Sequence, residues 1–331
     1  MPNTLKPLKI SIITSSYTLD RFKDITELLD SIDEQDYDNM EVIVVCERSR
    51  ELMSKIEEYA TRLKTLDIKV VYNDGEWGIS AARNLGIERS SGEILAFIDD
   101  DALLCPGWAQ QTAGTYANDS SIVSLTGPIL PLWEDEKMDW FPREFYWIFS
   151  CTYWDWTKPT EVRNGYGTNM SFRRNIFEDC GLFETNLGVK GYGKSGWQGI
   201  GGEEVEFAQR VKKLTGKYVV YHPEIKVRHR VYRYRFSNKF ISRRAYYEGW
   251  SKAMFNKLYQ LEDKQMLSTE YELLHRILLK LVPQSLLLLL RYPVMALKRL
   301  FVTKLVLACV AIGYFNYRIR TSCHSKKDER E

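Results

Sequence analysis

The chain has 331 residues, which is enough for one large domain or two smaller ones. Its composition is that of an ordinary globular protein, with 44% apolar residues, 27% charged residues and a formal net charge of +2, which excludes neither a membrane surface nor an anionic substrate. The six cysteines include no C-x-x-C pair, which argues against a zinc site and predicts free thiols in a reducing compartment. The N-terminus has no long apolar segment, so the sequence predicts no signal peptide and a catalytic part in the cytoplasm.

The first hundred residues alternate between segments rich in Val and Ile and amphipathic segments. The predicted strands are 9–17, 40–47, 68–74 and 93–101, and the predicted helices are 22–32, 49–65 and 79–90. This alternation is typical of βαβ units on a parallel sheet, whose ligands bind beyond the carboxyl ends of the strands. Polar groups follow all four strands, so we expect them to meet at one crevice: Ser15, Ser16 and Tyr17, then Glu47, then Asn73 and Asp74, then Asp99, Asp100 and Asp101.

The stretch "GEILAFIDDDALLCPGW", residues 92–108, runs from a buried strand directly into three adjacent carboxylates. These carboxylates repel one another, so a cation is expected beside them. Mg²⁺ and Mn²⁺ prefer oxygen ligands, use one or two carboxylates and fill their shell with substrate phosphates. The triplet therefore suggests a metal that holds a diphosphate. A solvated acidic turn or a helix N-cap is the alternative interpretation of the same three residues.

The middle of the chain is less periodic. Residues 121–130 predict a strand, 131–160 a long loop or lid, and 166–174 a strand followed by a helix that ends near Gly181. The Gly-rich stretch 188–204 leads into a helix over 203–214, and 217–229 predicts a final pair of strands.

The C-terminal part is basic and apolar. From Leu273 to Lys327 there is no Asp or Glu but there are ten Lys or Arg residues. The uncharged runs 281–290 and 305–317 are shorter than the ~20 residues that span a bilayer. Interleaved cations and apolar clusters favour helices that lie on an anionic leaflet, with a span over Leu300–Tyr317 as the lesser option and a packed helical subdomain as the alternative.

Several segments resemble family 2 of the GT-A glycosyltransferases. "FIDDDALLCPGW" is similar to the D-x-D site of that group, and "NDGEWGISAARNLGIERSSGEILAFIDDD" (73–101) matches the family's G-x-x-x-A-R-N-x-G, G-E and D-x-D run. "ISIITSSYTLDR" (10–21) and "EVIVVCERS" (41–49) resemble its first two strands. The resemblance covers about residues 9–235. It implies a GT-A catalytic domain over 1–235, with a mostly parallel α/β sheet flanked by helices. Residues 236–331 are then expected to form a helical, membrane-associating region.

The resemblance also implies roles for the crevice residues. Ser15 and Tyr17 would line the pocket of the nucleotide base, and Glu47 stands where the family usually has an Asp that bonds the base. Because the turn reads "CERS" where the family reads "DDGS", base selectivity stays open. The remaining donor-binding candidates are Asp74, Arg83, Asp99 and Asp100. Asp101 would hold Mn²⁺ or Mg²⁺, with His229 as a second metal contact.

An inverting sugar transfer needs a general base, because a neutral hydroxyl is a poor nucleophile. In this family the base is an acidic residue that opens a helix, typically the second of a pair after a glycine. In "GIGGEEVEFAQR" that residue is Glu204, with Glu203 as the neighbour that binds acceptor or raises the pKa of Glu204. The two acids could instead simply favour a helix N-terminus.

The chain lacks the Q-x-x-R-W motif of processive synthases, which favours transfer of a single sugar. The expected partners are a UDP- or GDP-sugar donor, a polyprenyl-phosphate-linked or glycan acceptor and an anionic membrane surface. The expected location is the cytoplasmic face of the cell membrane. Three alternatives are a nucleotidyltransferase, an inactive glycan- or lipid-binding relative, and a nucleic-acid binder; the acidic crevice argues against the last.

Overall fold

The structure is a computed structural model that describes residues 7–63, 65–188, 192–193, 196–197, 201–258 and 268–328. The chain separates into two compact units, one formed by Met1–Leu130 with Trp154–Arg230 and the other by Pro131–Tyr153 with Val231–Glu331. The domain boundary expected at residue 235 stays a prediction, and the contacts additionally group residues 131–153 with the C-terminal part.

The first unit is built on an eight-stranded sheet with the order β3-β2-β1-β4-β9-β6-β12-β8. Its strands are β1 (Ile10–Ser16), β2 (Met40–Glu47), β3 (Asp67–Asn73), β4 (Ile94–Phe97), β6 (Ser124–Thr126), β8 (Thr160–Val162), β9 (Met170–Arg173) and β12 (Val219–Tyr221). Strands β1 to β4 are parallel to one another, whereas β9 runs antiparallel between β4 and β6. The predicted α/β architecture with a mostly parallel sheet is therefore confirmed.

Helices flank this sheet, and short strands supplement it. The helices are α1 (Phe22–Asp33), α2 (Arg50–Ala60), α3 (Ile79–Arg89), α4 (Trp108–Asn118), α5 (Asn175–Cys180) and α6 (Glu203–Thr215). The short strands are β5 (Ala102–Leu104), β7 (Ile129–Trp133), β10 (Tyr192–Gly193), β11 (Gly196–Trp197) and β13 (Val227–Val231). Strand β13 pairs antiparallel with β5. This pairing places His229 of β13 opposite Ala102, the residue directly after the aspartate triplet.

Helix α3 lies very close to the sheet. A Cβ atom on Gly86 would come within 2.3 Å of Cγ2 of Ile13, so a glycine is required where the helix crosses β1. This close packing fixes the height of α3 above the strand ends. Arg83, one turn earlier on the same helix, is thereby held over the crevice.

Three sequence expectations differ from the structure. Strand β4 ends at Phe97, because the chain turns within the aspartate triplet before β5. The strand expected over 121–130 is divided at Gly127 and Pro128, since proline has no N–H for a ladder bond. Two strands are present near 217–229 as expected, but they do not pair with each other: β12 joins β6 and β8, while β13 pairs with β5.

The segment 131–160, expected as a loop or lid, is largely a packed aromatic cluster of the second unit. Phe141 and Phe149 are buried, and Phe149 stacks on Phe236 with ring centroids 5.0 Å apart. Two 3₁₀ turns, Glu136–Met138 and Arg143–Phe149, carry this cluster. Apolar burial thus explains the concentration of aromatic residues there.

The rest of the second unit is helical. Helix α7 (Asn238–Leu258) packs against α10 (Pro293–Asp328). Between them, α8 (Ser268–Arg276) continues through a π-helical turn over Ile277–Leu281 into α9 (Val282–Leu288), whose second residue, Pro283, cannot donate a helical hydrogen bond. Over the described residues, no helix is both long and apolar enough to cross a membrane, so the lesser option of a span within α10 finds no support.

Candidate active site

The aspartate triplet lies at the turn between β4 and β5, and each carboxylate has its own surroundings. Asp99 accepts a 2.6 Å hydrogen bond from Thr168 and lies 3.8 Å from the Arg83 guanidinium. The two carboxylate oxygens of Asp101 have different partners: Oδ2 is 2.6 Å from Nη1 of Arg21, and Oδ1 is 3.0 Å from Nε2 of His229. Two arginines that are distant in sequence therefore supply cations beside the triplet.

Asp100 lies between these groups and is buried. Burial raises the pKa of Asp100 to about 7; Arg21 opposes this rise and the neighbouring Asp101 adds to it. Its Oδ2 has no hydrogen-bond partner among the described residues. At neutral pH this carboxyl is therefore only partly ionised, which reduces the repulsion within the triplet.

Asp99, Asp101 and His229 bring three potential metal-ligand atoms to within 4.8 Å of one another. The two carboxylates are ligands that bind both Mg²⁺ and Mn²⁺, and the imidazole favours Mn²⁺ over Mg²⁺. The residues present therefore fit a divalent cation. Asp101 and His229 are the metal contacts expected from the sequence, Asp99 joins them in the structure, and Asp100 lies outside this group.

Arg83 connects the triplet to the start of α6. Its Nη1 is 2.8 Å from Oε1 of Glu203, and both side chains are buried. The guanidinium lies against Gly167, where an added Cβ atom would come within 2.1 Å of Nη2. Arg83 and Glu203 thus form a buried ion pair, with the arginine held between Glu203 and Asp99.

Glu204 has a different environment although it is the adjacent residue. Gly202 adopts a positive φ of 111° before α6, a conformation that suits glycine and directs the first turn of the helix. Burial, together with the proximity of the Glu203 carboxylate, raises the pKa of Glu204 to about 8. Its Oε2 has no hydrogen-bond partner in the described part of the chain. Glu204 therefore combines a carboxyl oxygen available for bonding with a pKa near neutrality, as a general base requires.

The expected base-pocket residues lie at the ends of neighbouring strands. Ser15 and Tyr17 are half-buried, and Asp74 is exposed. Glu47 is buried; its Oε1 accepts the Gly78 N–H at 3.0 Å, and burial raises the pKa of its carboxyl. This oxygen already binds the backbone at the start of α3, and the expected contact of Glu47 with the nucleotide base stays a prediction.

Sequence reasoning missed two site residues. Arg21 follows β1 in "YTLDR", eighty positions before the carboxylate it contacts, and Thr168 lies in an irregular stretch before β9. Neither residue is part of a motif with a recognisable spacing. The only signal was the need for a cation beside three carboxylates, which indicates a charge without locating it.

Comparisons with known proteins identify the family of this chain. The model of "Glycosyl transferase family 2" matches residues 11–181. A glucosyl-dolichyl phosphate glucuronosyltransferase of Haloferax volcanii is 30% identical over 253 residues, which are 76% of this chain and 79% of that protein. The succinoglycan biosynthesis protein ExoM of Rhizobium meliloti is 27% identical over 52% of this chain and 50% of its own length.

Among solved structures, a mannosyltransferase from Pyrobaculum calidifontis in complex with GDP-Man and Mn²⁺ has a TM-score of 0.60 at 20% identity, covering 95% of this chain and 89% of that one. At this identity the likeness shows the fold, which is that of the GT-A enzymes. The family match covers more than half of the chain and includes the strands that carry the aspartate triplet. The chain is a hexosyltransferase and belongs to glycosyl transferase family 2.

Proposed function

We propose that this enzyme transfers one sugar, with inversion, from a nucleoside-diphosphate sugar to a hydroxyl of a sugar carried on a polyprenyl phosphate. The observation that carries the mechanism is the contrast between two adjacent carboxyls. Glu203 is tied to Arg83 at 2.8 Å, whereas Oε2 of Glu204 has no partner among the described residues. Only Glu204 can accept a proton without breaking a buried ion pair.

In the proposed step, the acceptor oxygen forms a bond to the anomeric carbon of the donor while the bond to the nucleoside diphosphate breaks. The hydroxyl proton passes to Glu204, and the nucleoside diphosphate leaves with the electron pair. Arg83, beside Asp99, is placed to bind the donor diphosphate or sugar. A divalent cation at Asp99, Asp101 and His229 would supply charge stabilisation for the leaving diphosphate.

The acceptor class is proposed from the similarity to the Haloferax volcanii enzyme, whose name describes transfer of glucuronate to glucosyl-dolichyl phosphate. A neutral sugar hydroxyl requires a base, and Glu204 provides one. Transfer onto the phosphate of the lipid itself would not need one, because a phosphate oxygen is already anionic. The base therefore favours a lipid that already carries a sugar.

This proposal is tested with a panel of UDP- and GDP-sugars, glucuronate included, and two acceptors: a polyprenyl phosphate that carries glucose and the same lipid without the sugar. We expect labelled sugar to appear on the glucosylated lipid, with inverted anomeric configuration by NMR. Transfer of a nucleotidyl group would instead identify a nucleotidyltransferase, and binding without turnover an inactive relative.

We further propose that the helical unit places the enzyme on the cytoplasmic face of an anionic membrane. Apolar side chains of this unit that are more than half exposed include Leu278, Leu279, Leu287, Leu290, Val294, Leu297 and Phe301. Leu290 is 90% exposed. Lys280, Arg291 and Lys298 lie among them, with no acid in the same sequence segment. Apolar side chains beside cations are typical of helices at a lipid interface.

Arg276, the first cation of the acid-free segment, makes a contact inside the helical unit. Arg276 lies 3.4 Å from Oε1 of Glu144 within the same unit and so contributes to its packing. The proposed lipid contacts therefore concentrate on the residues that follow it.

Replacing Leu287 and Leu290 together by Asn is expected to weaken binding to vesicles that contain anionic lipid by about tenfold or more, because burying each leucine contributes about 1.5–3 kcal/mol at full burial. Co-sedimentation with such vesicles measures this. The matched control is the double variant Leu182→Asn, Leu214→Asn, which removes two exposed leucines from the catalytic unit. Equal binding of both double variants, or no binding by the unaltered enzyme, would contradict the interfacial proposal.

A further inference from the structure

The two carboxylate oxygens of Asp101 contact different groups of the protein. Its Oδ2 is 2.6 Å from Arg21 and its Oδ1 faces His229 at 3.0 Å, where the third potential metal ligand, Asp99, also converges. The side chains of Asp101 and His229 are 4% and 3% exposed, so bulk water screens these contacts weakly. The two oxygens of this carboxylate therefore have separate partners.

Arg21 is itself held in place. It follows β1 in the short turn before α1, and its Nη1 lies 3.7 Å from Asp24 and 3.8 Å from Asp100. Arg230 contacts Asp24 at 2.9 Å, and the Arg230 backbone N–H donates to the carbonyl of Asp101. A ring of alternating charges thus connects the start of α1, the triplet and β13.

We propose that Arg21 is a positioning residue for the metal site: it holds Oδ2 of Asp101 so that Oδ1 points toward His229 and Asp99. This inference rests on the proposed function, because it presumes a divalent cation at those three residues. A carboxylate without such a partner can rotate about its Cβ–Cγ bond or offer both oxygens. The hydrogen bond from Arg21 removes that freedom and leaves one oxygen for the cation.

The charges are consistent with this role. The guanidinium of Arg21 contacts Oδ2 of Asp101, whereas Oδ1 faces His229 and Asp99. A positive charge at Oδ2 and a divalent cation at Oδ1 can therefore be accommodated at the same time. Arg21 therefore complements the cation and does not need to leave Asp101 when the metal binds.

Mn²⁺ binding tests the proposal without reference to turnover. MnCl₂ is titrated into the full-length protein, and unbound Mn²⁺ is measured by EPR. We expect Arg21→Gln to weaken Mn²⁺ binding about 10- to 100-fold, the range found when a partner of a metal ligand is removed. Arg21→Lys keeps the charge but loses the planar fork, so we expect an intermediate affinity.

Arg174→Gln is the matched control. Arg174 is half-buried like Arg21 but donates to the Gly92 carbonyl and to Ser90, just before the amino-terminal end of β4 and away from the triplet, so its loss tests for a general effect on folding. If the unaltered enzyme binds Mn²⁺ and Arg21→Gln binds it equally well or more tightly, Arg21 does not position Asp101 and the proposal is overturned. Absence of Mn²⁺ binding by the unaltered enzyme would overturn the metal site itself. A folded Arg21→Lys that binds better than Arg21→Gln supports positioning over mere stability.

Discussion

Glu204→Gln is expected to lower sugar transfer by about 10²-fold or more while leaving binding of the nucleotide sugar intact. The substitution keeps the shape of the side chain and removes the group that accepts the hydroxyl proton. Loss of a general base typically lowers the rate 10²–10⁴-fold. Donor binding is measured by calorimetry with the nucleotide sugar, and transfer by labelled product on the lipid acceptor.

The pH profile adds a signature to this variant. Because the pKa of Glu204 is raised to about 8, the carboxyl is mostly protonated at pH 7, and kcat/KM is expected to rise with pH and level off above about pH 8. The same raised pKa makes the folded state bind more protons than the unfolded chain up to that pH, so this group lowers stability as pH rises. Glu204→Gln should therefore gain thermal stability relative to the unaltered enzyme at pH 8–9, and show no gain at pH 4.

Glu203→Gln is the matched control, because it alters the adjacent carboxyl in the same way. It removes the partner of Arg83 at 2.8 Å, and breaking one side of a buried ion pair costs about 3–5 kcal/mol. We expect lower stability and weaker donor binding, with the rise of activity near pH 8 retained. If Glu203→Gln abolishes transfer with intact donor binding and Glu204→Gln does not, the base has been assigned to the wrong residue.

Much of the catalytic fold could be predicted because its signals are local. Val- and Ile-rich segments predict β1, β2 and β3, and the amphipathic segments between them predict helices, because each pattern reflects the local geometry of a strand or a helix. The observed bounds of these elements differ from the expected ones by a few residues. The pairing of β13 with β5 could not be predicted in this way. Short strands such as these acquire partners through tertiary contacts, and sequence does not encode those partners at a fixed spacing.

The same distinction applies to the site. Asp101 and Glu204 stand out because each follows a recognisable strand end or helix start. Arg21 and Thr168 do not, since their importance comes from distances of 2.6 Å that exist only after the chain has folded. The positive charge expected beside the triplet is present. The fold places the guanidinium groups of Arg21 and Arg83 there, in addition to any metal.

Asp101→Asn is expected to abolish Mn²⁺ binding and to lower transfer by at least about 10²-fold. The amide keeps the volume of the side chain but carries no charge, and a bound divalent cation supplies several kcal/mol of charge stabilisation, with about 1.4 kcal/mol for each tenfold in rate. Chelation of the unaltered enzyme with EDTA should have the same effect, and adding Mn²⁺ back should restore activity only where Asp101 is present.

The control for this variant is Asp38→Asn, which removes an exposed carboxyl just before the amino-terminal end of β2, whereas the site lies beyond the carboxyl ends of the strands. Full activity of Asp101→Asn in EDTA would rule out a metal held by this residue. Asp101→Asn also leaves Arg21 without its 2.6 Å partner, so thermal unfolding must show that the variant is folded, and Asp101→Glu retains the charge if it is not. Comparison with Arg21→Gln then separates two functions of one carboxylate: loss of Oδ1 as a ligand should abolish binding, whereas loss of the restraint on Oδ2 should only weaken it.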